Sequence, residues 1–321
     1  MAAVLSIDSG GERFAVNGEP VFLYGASYYA ALGAEETLIE EDLADLRGYQ
    51  VNWVRVWVTW GAFDNNVSAV DEDGDERSPY WERLLTLCER ADAAGMVVDV
   101  TVSRGNGVAG EGLLATDEAH LNAAAVLAEG LRPFRNVYLD VGNERNLQDG
   151  RHVPVPLVRR LRDRVKEIDP ARLVTASHAG DVEPDALYEY LIAARLDFLA
   201  PHRPRRPGST SETEQKTTTL RSRMKRLGKV VPVHYQEPFR RGFSADWQPA
   251  AKDFLADLKA SIAAGAAGWC FHNGDNRMAS DGRPRRGFDL RPAEGRLLDQ
   301  LEDEERRFLL RAARFLRGEP E

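Results

Sequence analysis

Short apolar runs alternate with longer amphipathic segments along this chain, and this alternation restricts its fold more than any other feature. After a hairpin predicted at residues 4–8 and 13–16, eight apolar runs alternate with eight helical patterns. The runs are continuously apolar, which is typical of parallel strands covered on both faces. The predicted strands span residues 21–26, 51–58, 96–102, 135–142, 171–177, 196–201, 230–235 and 266–271.

The helical patterns between these runs have recognisable ends, because Gly95 and Asp169-Pro170 are typical of helix ends and Thr116-Asp117 of a helix start. The predicted helices span residues 36–48, 79–94, 117–131, 155–168, 184–194, 212–227 and 248–264, with an eighth at 293–301 that can extend to 316.

Eight strand–helix units predict an α/β fold, a single (β/α)8 barrel over residues 1–321 with a short N-terminal β-hairpin. A doubly wound open sheet is the alternative fold. The first strand-to-helix turn, at residues 25–32, lacks the glycine-rich phosphate motif that a dinucleotide-binding sheet of that kind carries.

Composition narrows the class of partner. Lysine and arginine total 42 against 51 aspartates and glutamates, a net charge of -9, which argues against nucleic acid. No apolar run is long enough to cross a bilayer, so we expect no membrane partner. The start has no secretory signal pattern, so we expect a cytoplasmic protein, or a secreted one if a leader has been removed. Cys88 and Cys270 are expected to be buried thiols rather than a disulfide.

Two predicted strands end in a glutamate. The fourth strand, Asn136-Val-Tyr-Leu-Asp-Val-Gly-Asn-Glu144, and the seventh, Lys229-Val-Val-Pro-Val-His-Tyr-Gln-Glu237, both place it at the carboxyl end. Active sites of (β/α)8 barrels lie at the carboxyl ends of the strands, so the two carboxylates should converge across the rim. Two such carboxylates are the minimum equipment for cleaving a glycosidic bond.

Strand periodicity adds neighbours to these glutamates. Asp140 should share a face with Glu144, and Tyr235 with Glu237. One face of the second strand carries two aromatic residues and a cation: Trp53, Arg55 and Trp57. A buried guanidinium needs a carboxylate partner, and either Asp140 or Glu237 could provide it.

Several segments together resemble the retaining glycoside hydrolases of clan A, and most of all family 5, the cellulases and mannanases. They are Phe14-Ala-Val-Asn-Gly-Glu-Pro-Val-Phe-Leu-Tyr-Gly25, Val51-Asn-Trp-Val-Arg55, Tyr138-Leu-Asp-Val-Gly-Asn-Glu144, Tyr235-Gln-Glu237 and Gly268-Trp269. The resemblance runs over nearly the whole chain in order and spacing. It implies hydrolysis of β-glycosidic bonds in an oligo- or polysaccharide by double displacement, with no cofactor.

The resemblance also implies roles for individual residues. Glu144 would be the general acid/base, Glu237 the nucleophile, Asn143 a ligand of the sugar 2-hydroxyl, Arg55 the cation that keeps the nucleophile ionised, and Trp269 the floor of the glycone subsite. We also expect substrate contacts from His202, Tyr235 and Trp57. Arg55 should lower the pKa of Glu237, whereas the like charge of Glu237 should raise that of Glu144.

Two positions depart from the family pattern. Family members usually carry a histidine near the end of the third strand, where this chain reads Asp99-Val-Thr-Val-Ser-Arg104. A His-x-Tyr pattern is common after the sixth strand, where this chain has Pro201-His202-Arg203-Pro204. Tyr235 is the candidate for the missing phenol beside the nucleophile.

Two other functions stay open. A non-catalytic carbohydrate-binding barrel would keep the cleft without turnover. A metal-dependent barrel hydrolase would use His178, His202 and Asp275, although its first strand should carry His-x-His where this chain has Ser27-Tyr28-Tyr29.

The loops after strands six to eight are rich in arginine on an otherwise acidic chain. These loops predict either surface ion pairs with Asp246, Asp275 and Asp281 or a basic cleft for an anionic glycan. The arginines are Arg203, Arg205, Arg206, Arg240, Arg241, Arg277, Arg283, Arg285 and Arg286.

Overall fold

Seven parallel strands form one curved sheet in the computed structural model, which describes residues 2–63, 65–105, 114–244, 246–275 and 285–320. The strands are β4 Leu23–Tyr28, β5 Trp53–Trp57, β6 Val97–Thr101, β7 Val137–Asp140, β8 Val174–Thr175, β9 His234–Tyr235 and β10 Gly268–Phe271. They lie side by side in the order β8-β7-β6-β5-β4-β10-β9.

The sixth barrel position, residues 196–201, closes the sheet without forming a regular strand. Leu199 bridges Val233 on one side, and Pro201 bridges His178 on the other. The His234 N–H donates to the Leu199 carbonyl at 2.8 Å, which ties this segment to β9. Proline has no N–H to donate to a ladder, and Pro201 here and Pro232 before β9 keep both elements short. The predicted eight-membered barrel is confirmed, with its sixth strand reduced to bridges.

Eight helices cover the barrel in the described chain, and most begin and end within a few residues of the predicted bounds. They are α1 Glu36–Gly48, α2 Tyr80–Ala93, α3 Asp117–Gly130, α4 Val155–Ile168, α5 Pro184–Tyr188, α6 Ser209–Leu227, α7 Ala251–Ala263 and α8 Asp303–Leu316. The prediction at 293–301 was wrong, because Gly295 has a φ of 84° that interrupts a helix there. That region forms two short 3-10 turns, Pro292–Glu294 and Leu298–Gln300.

The predicted N-terminal hairpin is confirmed, and a third strand extends it into a three-stranded antiparallel sheet. Its strands are β1 Leu5–Ile7, β2 Phe14–Val16 and β3 Glu19–Val21. The third strand follows a two-residue turn at Asn17 and Gly18, both with positive φ (53° and 85°), as Asn-Gly turns favour. The ring of Phe14 from this sheet packs edge-on against Phe198, at 5.1 Å between centroids, beneath the barrel strands.

The barrel interior changes character from bottom to top. Its lower part is aromatic and tightly packed, with Trp53 against His234 at 4.4 Å between ring centroids and Tyr138 against Phe198 at 5.0 Å. Its upper part is polar and contains Arg55, which is fully buried. The two cysteines are buried free thiols, as predicted. Among the described residues, every helix is too short or too polar to be a candidate membrane span.

Candidate active site

Arg55 lies at the centre of the polar upper interior. Its Nε donates to Asp99 at 3.1 Å, its Nη2 donates to Asp140 at 3.0 Å, and its Nη1 donates to Glu237. Both predicted carboxylate partners are confirmed, and Asp99 is a third that the sequence analysis missed. Asp99 pairs in register with Arg55 on the neighbouring strand β6, and a single acid within Val97-Val-Asp-Val-Thr101 was the available signal.

Burial and ion pairing act in opposite directions on the pKa values of Arg55 and Asp99. Burial raises the pKa of Asp99, and the attraction of Arg55 opposes this shift. Burial alone would lower the pKa of Arg55, but its carboxylate partners raise it above its ordinary value. Arg55 is therefore a permanent cation beneath Glu237.

Glu144 follows β7 in an unusual backbone conformation. Its φ is 47°, in the left-handed region that few residues other than glycine adopt. Its N–H donates to Ser177 Oγ at 2.9 Å, which holds this conformation. Strained residues of this kind concentrate at functional sites. The preceding residue, Asn143, accepts a hydrogen bond from Arg55 Nη2 at 3.0 Å, so the Asn-Glu pair is fixed to the same cation as the nucleophile candidate.

The two glutamates meet at the carboxyl end of the barrel, as predicted. One oxygen of each carboxylate and one nitrogen of His202 lie within 4.8 Å of one another. His202 Nδ1 is 3.2 Å from Glu144 and 3.5 Å from Glu237. The two carboxylates therefore lie close together, with the imidazole of His202 beside both.

Two arginines of the cleft mouth also bind these glutamates. Arg205 Nη2 donates to Glu144 Oε1 at 3.1 Å and to Glu237 Oε2 at 2.7 Å. Arg151 Nη1 donates to the other oxygen of Glu144 at 2.7 Å. Arg205 belongs to the basic loops identified in the sequence, but nothing there placed it between the glutamates. Arg151 was missed, since it lies in a loop after strand four without a distinguishing pattern.

These cations reverse the expected pKa of Glu144. Burial would raise its pKa, but Arg205, His202 and Arg151 together outweigh burial and hold it well below the ordinary value for glutamate. The prediction that Glu237 raises the pKa of Glu144 is therefore wrong in its net result, because it left out the two arginines. The pKa of Glu237 is also lowered, since His202, Arg55 and Arg205 outweigh burial and the charge of Glu144.

Aromatic residues line one side of the site. Trp57 is stacked by the Arg55 guanidinium, at 5.1 Å from the ring centroid, and lies beside Tyr29 at 5.7 Å between centroids. The Tyr29 hydroxyl contacts His272 Nε2, which lies 3.6 Å from Glu237 Oε2. Burial and then the charge of Glu237 raise the pKa of Tyr29. The phenol near the nucleophile candidate is therefore that of Tyr29, which directly follows β4, the first strand of the barrel.

Tyr235 and Trp269 lie outside the site, contrary to prediction. The Tyr235 hydroxyl is 2.6 Å from Thr217 Oγ1 on α6, and Trp269 Nε1 donates to Asp257 Oδ2 on α7 at 2.7 Å. Both rings face the helices, because the adjacent residues of the same strands face the barrel interior. Strict alternation fails after Tyr235, where Gln236 and Glu237 both face the barrel interior: Gln236 contacts Asp99, and Glu237 contacts Arg55.

The predicted metal ligands are not brought together. Within the described ranges, the group that could hold an ion is Glu144, His202 and Glu237 rather than His178, His202 and Asp275. His178 Nδ1 instead bonds the Tyr190 hydroxyl at 2.8 Å. Arg205 already provides a positive charge at hydrogen-bond distance from both glutamates, where an ion would sit.

Most arginines of the basic loops form ion pairs away from the glutamates. Arg206 pairs with Glu212, Arg285 with Asp289, and Arg286 with Glu305 and Asp275. Arg203 pairs with Asp181 and Arg241 with Glu302. Arg205 and Arg240 remain as the arginines that face the cleft, and Arg240 Nη1 lies 3.2 Å from His272 Nε2. Arg277, Arg283 and Asp281 lie outside the described residues.

Several buried polar atoms around the cleft have no hydrogen-bond partner among the described residues. They include Trp57 Nε1, His202 Nε2 and His272 Nδ1. Buried polar groups are almost always paired, so unpaired ones at a cleft point to a ligand or to bound water. The residues that converge here can bind a hydroxylated molecule between two carboxylates.

No protein-family model matches this sequence, and no curated protein is similar to it in sequence. Solved structures are similar in fold. A glycoside hydrolase family 5 protein from Bacteroides vulgatus superposes with a TM-score of 0.71 at 15% identity, over 99% of this chain and 72% of that one. A family 5 mannosidase from Rhizomucor miehei gives a TM-score of 0.65 at 12% identity, over 98% of this chain and 99% of that one.

An exo-β-1,4-mannosidase from an Opitutaceae bacterium gives a TM-score of 0.67 at 18% identity, over 97% of this chain. This chain spans only 62% of the length of that mannosidase. This chain therefore shares the (β/α)8 fold of these structures, which confirms the fold that the sequence resemblance implied.

Proposed function

We propose that the protein is a retaining glycoside hydrolase that cleaves β-glycosidic bonds of an oligo- or polysaccharide. The observation that carries this proposal is the pair Glu144 and Glu237, each of which places one carboxylate oxygen within 4.8 Å of the other at the carboxyl end of the barrel. Such a separation leaves room for a sugar carbon bonded to one carboxylate, and not for a water molecule between sugar and base.

Glu237 is the proposed nucleophile because Arg55 keeps it ionised and fixes its position from below. Its carboxylate attacks the anomeric carbon and forms a glycosyl ester, while the bond to the leaving oxygen breaks. Glu144 gives its proton to that oxygen, and then takes a proton from the water that hydrolyses the ester. Both carboxyl groups return to their initial state, so the reaction needs no cofactor.

Neighbouring groups are suited to bind the sugar. Asn143 Oδ1 is held by Arg55, and its Nδ2 has no acceptor among the described residues, so it can donate to a sugar hydroxyl. His202 Nε2 and Trp57 Nε1 are likewise buried without partners. The proposed ligands of the sugar are Asn143, His202 and Trp57, while Arg55 acts from below through Glu237 and Asn143.

The chemistry of the substrate is partly indicated by the cleft. Similar structures include proteins named mannosidases, so β-mannosides belong in the first panel of substrates. Arg205 and Arg240 face the same cleft, which favours a glycan that carries anionic groups.

A panel of chromogenic β-glycosides and of neutral and acidic polysaccharides tests the reaction. We expect wild type to cleave at least one member, and Glu144→Gln and Glu237→Gln each to lower the rate by about 10²-fold or more. Glu167→Gln on the outer face of α4 is the matched control and should keep full activity. Full activity in either cleft variant, with an unchanged unfolding midpoint, would refute the assignment.

A non-catalytic carbohydrate-binding barrel is the second candidate, and one observation favours it. Arg205 and Arg151 together bind both oxygens of Glu144, and these contacts favour the ionised form of the proposed acid. Such a barrel would bind an oligosaccharide in calorimetry and release no product over days. Product release that depends on Glu237 would exclude it.

A further inference from the structure

Arg205 occupies the space that the reacting sugar needs. Its Nη2 lies between the two carboxylates, 3.1 Å from Glu144 Oε1 and 2.7 Å from Glu237 Oε2. An anomeric carbon attacked by Glu237 and a leaving oxygen protonated by Glu144 must lie in the same gap. Arg205 therefore has to leave this position before any glycoside can react.

The other oxygen of Glu144 offers no alternative. Glu144 Oε2 is bound by Arg151 Nη1 at 2.7 Å, and His202 Nδ1 shares Oε1 with Arg205. Arg151 is itself held by Asp149, at 3.0 Å from its Nε, so it is anchored away from the gap. The titratable and charged groups that face Glu144 are thus His202, Arg205, Arg151 and Glu237, and Arg205 is the one among them that stands in the path of the substrate.

The side chain of Arg205 is built to exchange partners. Both of its hydrogen bonds to described residues use Nη2, which leaves the N–H groups of Nε and Nη1 without an acceptor there. The side chain is 13% exposed at the cleft mouth. Its guanidinium stacks on Phe243, at 4.8 Å from the ring centroid, and Arg240 stacks on the same ring at 5.4 Å.

Phe243 completes a surface suited to a charged sugar. It is one of the few large apolar side chains exposed among the described residues, at 49%. An exposed aromatic ring offers a stacking face for the apolar side of a sugar, and the two guanidiniums beside it offer paired donors for an anion. The two oxygens of a carboxylate match the fork of a guanidinium in a bidentate pair.

We propose that Arg205 determines specificity by exchanging the two glutamates for a carboxylate on the substrate, so that the cleft selects glycans with a uronic acid at or beside the cleaved bond. The inference rests on the proposed hydrolase function and names the substrate class of the same site. A neutral sugar displaces Arg205 from two carboxylates and gives it no new anion. A uronate replaces the lost partners and leaves Glu144 free to take up its proton.

The test compares oligomers that differ in a single group. Neutral β-1,4-glucan and β-1,4-mannan oligomers are assayed beside the same oligomers oxidised to the carboxylate or sulfated at C6. Wild type, Arg205→Gln and the control Arg206→Gln are compared by kcat/KM. Arg206 lies on the same loop but pairs with Glu212 outside the cleft. Binding is measured in parallel by calorimetry, so that recognition is observed even where no bond is cleaved.

We expect wild type to prefer oxidised over neutral oligomers by about 10- to 100-fold, the range that hydrogen bonds to a charged group provide. Arg205→Gln should lower kcat/KM for the oxidised oligomers and raise it for the neutral ones, which general damage to the structure would not do. Arg206→Gln should keep the wild-type preference. Equal changes for both oligomers in Arg205→Gln, or a wild-type preference for neutral or only for sulfated oligomers, would overturn the inference.

Failure of the inference and failure of the hydrolase proposal give different results. Cleavage of neutral oligomers without discrimination keeps the hydrolase and overturns the role of Arg205. Selective binding of oxidised oligomers that is lost in Arg205→Gln, with no cleavage by any variant, supports the role of Arg205 and overturns the hydrolase. No binding and no cleavage of any oligomer overturns both.

Discussion

Two arginines bind Glu237 from two regions of the molecule. They carry the same charge but differ in location, in burial and in the number of nitrogens that form ion pairs. Arg55 rises from the barrel interior and is fully buried, with each of its three nitrogens bonded to a carboxylate. Arg205 reaches in from the cleft mouth on a loop, is partly exposed, and uses one nitrogen for both of its bonds. The same type of ion pair is therefore permanent in the interior and exchangeable at the mouth.

Burial explains this difference. A charge without solvent must keep all its partners, because an unpaired buried ion costs several kcal/mol. A partly exposed ion can trade a carboxylate for water or for a ligand at little cost. Interior residues of this barrel should therefore control stability, whereas mouth residues should control substrate choice and pH dependence.

Replacing each arginine in turn tests this division most strongly. Arg55→Met leaves Asp99, Asp140 and Glu237 without their shared cation, and should lower the free energy of unfolding by about 3–5 kcal/mol. Arg205→Met should change it by less than about 1 kcal/mol. Denaturant unfolding of both variants and wild type provides the measurement. Equal losses in the two variants would remove the distinction between the regions.

Acid should destabilise the interior through His234. Burial lowers the pKa of His234 to about 3, below the roughly 6.5 of an unfolded histidine. The contribution of neutral His234 to stability is therefore complete above pH 6.5 and is lost as the pH falls toward 3. At pH 5 the loss in the free energy of unfolding is roughly 2 kcal/mol. His234→Gln cannot take up this proton, so its unfolding free energy should fall less between pH 7 and 5. An identical pH dependence in both proteins would contradict this account.

Tryptophans on the two faces of the barrel wall sharpen the comparison. Trp269→Phe loses a buried hydrogen bond to Asp257 and should destabilise the fold by about 1–3 kcal/mol, with unchanged KM. Trp57→Phe removes the indole N–H beside the cleft. It should raise KM, and it should lower the free energy of unfolding by less than Trp269→Phe does. Unfolding curves and steady-state kinetics of both variants measure the effects. A raised KM in Trp269→Phe would return that residue to the site.

The smallest expected change in stability accompanies a change in pH profile. Arg205 lowers the pKa of Glu144, so Arg205→Gln should raise that pKa. Since Glu144 must be protonated to act as the acid, the alkaline limb of kcat/KM on a neutral substrate should move to higher pH. The control variant Arg206→Gln should keep the wild-type limb. A limb that stays in place or moves to lower pH in Arg205→Gln would show that Arg205 does not control this proton.

The sequence predicted the fold and the convergence of the two glutamates because both follow from strand order. Apolar runs set the eight barrel positions, and Glu144 and Glu237 end two of them. The Arg55 partners could also be predicted, since a buried cation requires carboxylates and Asp140 faces the same interior.

The errors arose where local geometry departs from regular strands. Tyr235 was assigned to the wrong face because alternation fails before Glu237. Trp269 was placed in the cleft by resemblance alone, although it faces α7. Arg151 and Arg205 lie on loops, and loops lack the residue periodicity that allows helices and strands to be predicted. Their contacts with the glutamates could therefore not be predicted from the sequence.

In the proposed mechanism, Glu237 forms a covalent bond to the sugar during turnover. Wild type and Arg205→Gln are incubated with 2-deoxy-2-fluoro-β-glycosides, neutral and C6-oxidised, that carry a good leaving group, and the peptides are analysed by mass spectrometry. We expect a single glycosyl adduct on the peptide that contains Glu237, and no adduct in Glu237→Gln. An adduct on another residue, or hydrolysis of the natural linkage with inversion at the anomeric carbon, would contradict it.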